Sequence, residues 1–329
     1  MGIICFDSRV WTNMNQANIV AVVVLYRRLP EQSQTIVSLG NVFASNPELL
    51  DSIQVILFDN SPKALEQVSL SFPCKYRHAG RNVGTSGAYN YAMEFAEAEG
   101  SPWLLLLDQD TTISAEFLPR MLEYSHVLQE QTEIGSVVPF IYSHGSLISP
   151  RTHGRFNQVG RIPRTFTGIY RRKAFAVNSA TLMRVAALRE IGGYSDEFWL
   201  DLSDVYVFQA MYRKGRYLYI AGDLTLQHSI TSMDFDNDMA PERYRNFLAA
   251  ESAYVDLYSS APERAAHLVR LLWRTLRQRR RYRNSVFSRM TFEFFWRRLL
   301  DSRAKRIQSW RKQSLQRDIP AIEEGQVVG

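Results

Sequence analysis

Cysteine is scarce in this 329-residue sequence, which contains only Cys5 and Cys74. The two residues are far apart, and neither belongs to a Cys-x-x-Cys pair. This pattern excludes a disulfide framework and gives no support to a thiolate metal site, because both need several cysteines at characteristic spacings. We therefore expect the protein to occupy a reducing compartment.

Long apolar runs are also missing. No window reaches the roughly 18 consecutive apolar residues that a membrane-spanning helix needs. The first residues, Met1 to Asp7, lack the basic segment and the sustained apolar stretch that mark a signal peptide. We therefore expect a cytoplasmic protein whose contact with a membrane, if any, is peripheral.

Acidic residues are nearly absent from one part of the chain. Residues 264–317 contain 17 Lys and Arg but only two acids, Glu293 and Asp301, whereas the formal charge of the whole chain is +6. The remaining sequence is therefore net acidic, and its hydrophobic content is ordinary for a folded protein. We predict one globular domain over residues 1–260 and a basic, amphipathic helical extension over residues 261–329.

Strand and helix patterns alternate over the first 110 residues. Apolar runs of strand length occupy residues 19–26, 55–58 and 103–107, and helices are predicted over residues 31–46 and 84–98. Such alternation favours a mainly parallel sheet covered by helices, with a ligand crevice at the carboxyl ends of its strands. The acids that follow these strands should converge there: Asp59, Asp108 and Asp110.

The middle of the chain has a weaker pattern. Residues 140–172 are rich in Gly, Ser, Pro, Arg and His and show little periodicity. An ordered pattern resumes at residue 174. We therefore predict a long loop or lid over residues 140–172 rather than a linker.

The basic extension predicts two amphipathic helices. One apolar face consists of Leu268, Val269, Leu272, Trp273 and Leu276, and the second consists of Phe292, Phe295, Trp296, Leu299 and Leu300. These faces either pack on the body or on another subunit, which would make a homo-oligomer, or dock with the arginines on an anionic membrane surface. Nothing in the body resembles a nucleic-acid module, so we expect no nucleic-acid partner.

The strongest local motif is the segment LLLLDQDT at residues 104–111, a buried strand that ends in two carboxylates one residue apart. Oxygen ligands at this spacing suit Mg²⁺ or Mn²⁺ held jointly with substrate phosphates. The alternative is an ordinary turn or helix cap at a strand end. Turn chemistry is likewise an alternative for Asp59 in the segment DNSP, residues 59–62.

Several short segments occur in the order found in one protein family. They are VVVLY at 22–26, VILFDNS at 55–61, RNVGTSGAYN at 81–90, LDQDT at 107–111, IGGYSDEFWLD at 191–201 with Asp204 behind it, and a lone His228. This series resembles the GT-A-fold glycosyltransferases of family 2, and among them the bacterial rhamnosyltransferase-like members. The resemblance implies an α/β fold of the GT-A type, Rossmann-like, with a mixed, mainly parallel sheet flanked by helices.

The resemblance also implies contacts to a nucleotide and a metal ion. Asp59 would accept a hydrogen bond from the pyrimidine base, and the loop after Tyr26 would lie along the nucleotide. Asp110 and His228 would hold Mn²⁺ or Mg²⁺. The other implied nucleotide-site residues are Arg81, Asn82, Gly84, Asp108 and Gln109. The residues alone leave two alternatives open: Arg81 and Asn82 could support the glycine loop, and a lone histidine could be structural.

By the same resemblance, Asp204 is the catalytic base. An inverting transfer needs one carboxylate to take the proton of the acceptor hydroxyl, while the metal stabilises the leaving diphosphate. The sequence departs from the family pattern at Ser203, Tyr206 and Ala210. Asp201, three residues earlier, is the rival base.

The implied function is an inverting, metal-dependent glycosyltransferase that uses a nucleotide-sugar donor, dTDP-rhamnose first among the candidates. Its acceptor would be a saccharide or lipid-linked glycan in the synthesis of a bacterial surface polysaccharide. A UDP-hexose donor on the same fold is the alternative within enzymes. A catalytically silent scaffold that binds a membrane surface through its basic tail is the alternative from another class.

Overall fold

The computed structural model describes residues 3–4, 17–154, 156, 158–228 and 239–315. Cys5 and the segments 229–238 and 316–329 lie outside this part of the chain. The strands are β1 Ile3–Ile4, β2 Ile19–Leu25, β3 Ile53–Asp59, β4 Ser69–Leu70, β5 Lys75–His78, β6 Trp103–Asp108, β7 Thr111–Thr112, β8 Ile134–Ser143, β9 Ser146–Ser149, β10 Arg151–His153, β11 Val159–Arg161, β12 Gly168–Tyr170, β13 Ala174–Phe175, β14 Thr181–Arg184 and β15 Tyr217–His228. The helices are α1 Gln34–Ser45, α2 Gly84–Ala98, α3 Phe117–Val127, α4 Val185–Glu190, α5 Ser203–Arg213, α6 Pro241–Tyr258, α7 Ala261–Arg281, α8 Val286–Leu300 and α9 Arg303–Leu315.

The parallel part of the central sheet has the order β6-β2-β3-β5. Its strands are continuous apolar runs because helices cover both faces: α1 and α3 pack on one face, and α2, α4 and α5 pack on the other. In the register, Leu25 pairs with Asp59, and Val24 pairs with Asp108. The ends of β2, β3 and β6 are therefore level, as the alternating sequence pattern predicted.

The other half of the sheet is mixed. Strand β14 runs antiparallel between β6 and β8, and β15 pairs parallel with β8. The mixed α/β GT-A-like fold expected from the sequence is confirmed, together with its helical C-terminal extension. Among the helices in the described part of the chain, none is both long and apolar enough to cross a bilayer.

The predicted loop or lid over residues 140–172 is wrong. This region contains the end of β8 and all of β9, β10, β11 and β12. A turn at His144 and Gly145, both with positive φ, joins β8 to the antiparallel β9. The strands escaped sequence analysis because they are three or four residues long and only partly buried, so they show no clear alternation.

The helical extension is present, but its apolar faces do not pack on the body. Val269, Leu272 and Trp273 of α7 are exposed, as are Trp296 and Leu300 of α8. Of the alternatives that the sequence left open for these faces, packing on the globular domain is therefore not supported for the exposed residues. The inward sides of both helices carry polar residues that find buried partners on α6, and these partners fix which side faces the protein.

Candidate active site

Backbone and side-chain hydrogen bonds tie the carboxyl ends of β2, β3 and β6 into one edge. The amide of Asn60, just after β3, donates to the carbonyl of Leu25 at 2.8 Å. The amide of Tyr26, just after β2, donates to Oε1 of Gln109 at 2.9 Å. Gln109 therefore holds the start of the loop after Tyr26, which the family resemblance places along the nucleotide. Tyr26 and Gln109, two of the predicted site residues, are thus in contact.

Asp59 ends β3 and is buried. Its Oδ1 accepts the amide of Ser61 at 2.8 Å, and its Oδ2 accepts the hydroxyl of Tyr76 at 2.8 Å. Burial and the neighbouring Asp59 carboxylate raise the pKa of Tyr76 to about 12. The hydrogen bond to the backbone amide of Leu65 opposes this rise in part. The turn role is thus observed, while each carboxylate oxygen still has a second lone pair that can accept a donor from a base.

The loop before α2 is fastened by two asparagines. The side chain of Asn60 donates to the carbonyl of Gly84 at 3.0 Å and accepts the amide of Val83 at 3.1 Å. Oδ1 of Asn82 accepts the amide of Gly84 at 2.9 Å. Asn82 therefore supports the glycine loop, whereas Arg81 is exposed on it.

Gly84 lies where α2 meets the segment that leads to Asp204. Its φ is +70°, and a Cβ at this position would lie 2.1 Å from the carbonyl oxygen of Trp199. That same carbonyl accepts the amide of Ser86 at 3.0 Å, and the hydroxyl of Ser86 donates to the carbonyl of Phe198 at 2.8 Å. The close approach of the two backbones therefore requires glycine.

We expect Gly84→Ala to lower the free energy of unfolding by on the order of 3 kcal/mol, because overlap with the Trp199 backbone adds to the strain of a positive φ. Gly80→Ala is the matched control: Gly80 has a φ of +74°, but no atom of the described residues lies within 4 Å of its Cβ position. It should lose only about 1–2 kcal/mol. Urea unfolding of both variants measures the difference, and equal losses would contradict the close approach.

The Asp108–Asp110 turn is held from three directions. The buried Tyr89 donates its hydroxyl to Oδ1 of Asp108 at 2.9 Å. The hydroxyl of Ser179 accepts the amide of Asp108 at 3.0 Å, and the hydroxyl of Ser33 donates to the carbonyl of Gln109 at 2.8 Å. Asp108 thus accepts a hydrogen bond from a buried side chain. Asp110 lies two residues further on, in the turn.

The chain brings the second predicted metal ligand next to this turn. Strand β7 pairs antiparallel with β15, and this register sets His228 opposite Thr111, the residue after Asp110. In the described part of the chain, no group of three or more His, Cys, Asp or Glu could hold a metal ion. Mg²⁺ and Mn²⁺ sites in phosphate-transferring enzymes use one or two protein ligands and complete their shell with phosphate oxygens and water. Asp110 is a carboxylate of the type that such sites use, and the register places the backbone of His228 next to this turn.

Asp204 is at the first turn of α5, after Leu202 in a left-handed conformation with φ 61°. Its Oδ1 accepts the amide of Val205 at 2.7 Å. Burial raises the pKa of Asp204 to about 6 against this hydrogen bond, and the negative charges of Asp201 and Asp108 contribute to the rise. Asp204 and Asp108 therefore lie close enough to interact electrostatically.

Asp201, the rival base, is already paired. Its largely buried carboxylate accepts a hydrogen bond from the guanidinium of Arg243 on α6. Asp204, by contrast, accepts a hydrogen bond from a backbone amide. The two neighbouring acids are therefore distinguished by a residue far away in the sequence.

A series of buried hydrogen bonds and one aromatic contact connects the Asp108–Asp110 turn to the start of α5. The rings of Tyr89 and Tyr194 lie 5.1 Å apart between centroids. The hydroxyl of Tyr194 donates to Oδ1 of Asn178 at 3.0 Å, and the side-chain amide of Asn178 donates to Oγ of Ser203 at 3.0 Å. The sequence alone indicated no role for Tyr89, Tyr194 or Asn178, although the first two lie within the segments 81–90 and 191–201 that carry the family resemblance. Ser203, a departure from the family pattern, completes this series.

The predicted nucleotide-site residues and Asp110 thus form two adjoining groups, one at the edge of the sheet and one on the loop before α2. Tyr26, Asp59, Asp108, Gln109 and Asp110 occupy the edge where β2, β3 and β6 end. Asn82 and Gly84 join this edge to the segment before Asp204 through the contacts above. The exposed Arg81 is set on the same loop.

Comparison with solved structures gave weak global similarity. The chain is similar to S. aureus TarS 1-349, with 14% identity, a TM-score of 0.48, and coverage of 90% of this chain and 92% of that one. It is also similar to the mannosyltransferase PcManGT from Pyrobaculum calidifontis, whose structure contains GDP-Man and Mn²⁺, with 13% identity, a TM-score of 0.47, and coverage of 87% and 88%. A longer S. aureus TarS chain matches with 16% identity and a TM-score of 0.46, and the alignment takes in 81% of this chain and 44% of that one.

A search of curated proteins gave no match. The family model for glycosyl transferase family 2, in contrast, matches residues 21–192. That range covers more than half of the chain and contains most of β2, all of β3 and β6, the glycine loop and the Asp108–Asp110 turn. The protein therefore belongs to glycosyl transferase family 2.

Proposed function

We propose that this protein is an inverting, metal-dependent glycosyltransferase that transfers a sugar, rhamnose from dTDP-rhamnose first among the candidates, to a saccharide or lipid-linked acceptor. The observation that carries the proposal is the position of Asp204 at the start of α5, which Tyr89, Tyr194 and Asn178 connect to the Asp108–Asp110 turn. Burial also raises the pKa of Asp204 to about 6. The carboxylate and the turn would supply a base for the acceptor beside a place for the donor. We further propose that the acceptor belongs to bacterial surface polysaccharide synthesis.

The donor would occupy the edge formed by β2, β3 and β6. Asp59 would accept the N–H of a pyrimidine base, and the loops at Tyr26 and Arg81 would flank the nucleotide. Asp110 and His228 would hold Mn²⁺ or Mg²⁺, which supplies positive charge for the diphosphate leaving group. Gln109 keeps the Tyr26 loop in place through its contact with the backbone amide.

The acceptor hydroxyl would give its proton to Asp204. A base with a pKa near 6 is ionised at neutral pH and still more basic than an ordinary aspartate, which is the compromise that general-base catalysis needs. Asp201 instead accepts a hydrogen bond from the guanidinium of Arg243 on α6. The two acids thus suit two roles, proton acceptance by Asp204 and anchoring of α6 by Asp201.

The raised pKa predicts how the transfer rate depends on pH. A base acts in its ionised form, so activity should be lost as the pH falls through about 6 and should reach a plateau above it. Initial rates measured across this range at saturating donor and acceptor would show the inflection. A rate that stays constant down to the ordinary aspartate pKa would exclude Asp204 as the base.

A panel of donors tests the proposed function. We expect the protein with Mn²⁺ to release nucleoside diphosphate fastest from dTDP-rhamnose, whereas faster release from a UDP-hexose would move the assignment to the alternative donor. Addition of EDTA should stop the release in either case. Failure with every donor and acceptor would favour a silent scaffold.

A further inference from the structure

The outward sides of α7 and α8 form an exposed apolar surface. Its members are Val269, Leu272, Trp273 and Leu276 on α7, and Phe292, Trp296, Leu299 and Leu300 on α8, with exposed fractions between 39% and 78%. We call these eight side chains the outer face. On the second helix, the rings of Phe292 and Trp296 pack edge to face with centroids 5.8 Å apart. Two tryptophans and six other large apolar residues are therefore grouped on one side of a helical hairpin.

Buried polar contacts fix this orientation. Tyr244 of α6 accepts a hydrogen bond from Nε2 of Gln278 on α7 at 2.8 Å and lies 2.7 Å from Oγ1 of Thr291 on α8. Thr291 in turn donates to Oε1 of Gln278 at 2.7 Å. Because the outer-face residues lie roughly a quarter to half a turn around each helix from these residues, both apolar stripes are turned away from α6.

Ion pairs reinforce the same orientation. Arg274 of α7 makes two hydrogen bonds of 2.7 Å to Glu251 of α6. Although burial opposes ionisation of Glu251, the nearby Arg274 lowers its pKa to about 2. Arg298 of α8 donates to the fully buried Asp256 at 2.8 Å. Turning the hairpin over to bury its apolar stripes would strand these charges and would expose the buried Leu271, Phe287 and Phe294.

The outer face is surrounded by exposed arginines. They are Arg277, Arg279, Arg280, Arg281, Arg283, Arg289 and Arg297. Arg280 follows Leu276 by four positions and Trp273 by seven, so it lies on the same side of α7. Arg289 precedes Phe292 by three positions and Trp296 by seven, and therefore joins the same side of α8. Apolar and cationic groups are thus interleaved on one surface.

We propose that the outer face docks on the anionic surface of a lipid bilayer. Tryptophan suits the boundary between headgroups and acyl chains, and arginine can bury its stem beside apolar groups while its guanidinium reaches a phosphate. A second copy of the chain fits less well, because a two-fold contact through this face would bring two arginine arrays together. The inference goes beyond the proposed transfer reaction and is tested without donor or acceptor.

Sedimentation with vesicles tests this docking on the full chain. Truncation is unsuitable because Trp310 of α9 stacks on Phe198 at 5.8 Å, next to the candidate site. We expect the protein to bind vesicles of phosphatidylcholine and phosphatidylglycerol at least tenfold more tightly than vesicles of phosphatidylcholine alone, and to release as salt is added. Absence of binding to the anionic vesicles, or equal binding to both, would overturn the proposal.

Two double variants separate the apolar and charged contributions. Trp273→Ser with Trp296→Ser, and Arg280→Ser with Arg289→Ser, should each weaken anionic-vesicle binding at least tenfold. Matched controls are Val127→Ser with Val159→Ser, which removes exposed apolar groups elsewhere, and Arg171→Ser with Arg189→Ser, which removes two exposed arginines elsewhere. Controls that lose as much binding as the outer-face variants would overturn the proposal.

The oligomeric state distinguishes lipid from a second copy. We expect sedimentation velocity to show the same species for the parent and for the tryptophan double variant. A parental dimer that the tryptophan substitutions dissociate would assign the outer face to a second copy and overturn the lipid proposal. Thermal unfolding verifies that the variants are folded, and if one is not, the comparison of the two vesicle types with the parent decides.

Discussion

Asp204→Asn is expected to lower the rate of sugar transfer by about 10²–10⁴-fold and to leave donor binding near the parental level. The amide cannot accept the proton of the acceptor hydroxyl, yet it matches the carboxylate in shape. Its oxygen can still accept the amide of Val205, which Oδ1 of Asp204 now does at 2.7 Å. The start of α5 should therefore keep its conformation.

Asp201→Asn is the matched control for this variant. It makes the same chemical change three residues earlier and removes the partner of Arg243, whose side chain is 39% exposed and can turn to water. Most of the transfer activity should remain. If Asp201→Asn loses transfer with binding retained while Asp204→Asn stays active, the base is Asp201. Single-turnover rates and isothermal titration with the donor distinguish the two outcomes.

The second large effect is expected at the metal site. Asp110→Asn should abolish nucleotide binding that depends on Mn²⁺, because a neutral amide is a poor ligand for a hard divalent cation. The fold should survive, since the residue lies at a turn beyond the end of β6 and only partly buried. Titration of dTDP or UDP into the variant, with and without Mn²⁺, measures the effect.

Asp51→Asn serves as the control for Asp110→Asn. Asp51 is exposed and lies two residues before the start of β3, at the end of the strand opposite the candidate site. Its substitution should leave metal-dependent binding unchanged. If Asp110→Asn binds nucleotide with the same Mn²⁺ dependence as the parent, the metal assignment is wrong and the turn role explains the motif.

The parallel half of the fold could be predicted because its signal is local. The apolar runs that became β2, β3 and β6 each end in polar residues, and parallel strands place such residues at one edge. The short strands between 144 and 172 gave no comparable signal, since each has only three or four residues and their exposure is uneven. The apolar pattern therefore identified the strands at the edge of the site. It missed β9 and β12, which extend the central sheet, and β10 and β11, which form a separate sheet with β13.

The polar contacts of the site could not be predicted, because they join residues far apart in the sequence. Tyr89 meets Asp108 across 19 residues, and Arg243 meets Asp201 across 42. The second contact gives different surroundings to two acids that the sequence left as rivals. A single sequence gives residue types and spacing but not these partners.

The helical extension shows a different limit. The spacing of Leu272, Trp273 and Leu276 correctly predicted an amphipathic helix. Apolar residues usually turn inward, so the same spacing would place this face against the protein. Buried partners on α6, Tyr244 and Glu251, reversed that orientation.

Thermal unfolding with nucleotides tests whether the Asp108–Asp110 turn is part of a nucleotide-sugar site. A ligand that binds only the folded protein raises its unfolding temperature by mass action. We predict that dTDP or UDP raises the unfolding temperature of the parent protein in the presence of Mn²⁺, and that the increase is smaller without the metal and absent for Asp110→Asn. An unfolding temperature unchanged by dTDP, UDP and GDP at saturating Mn²⁺ would contradict the account of a nucleotide-sugar site at the Asp108–Asp110 turn.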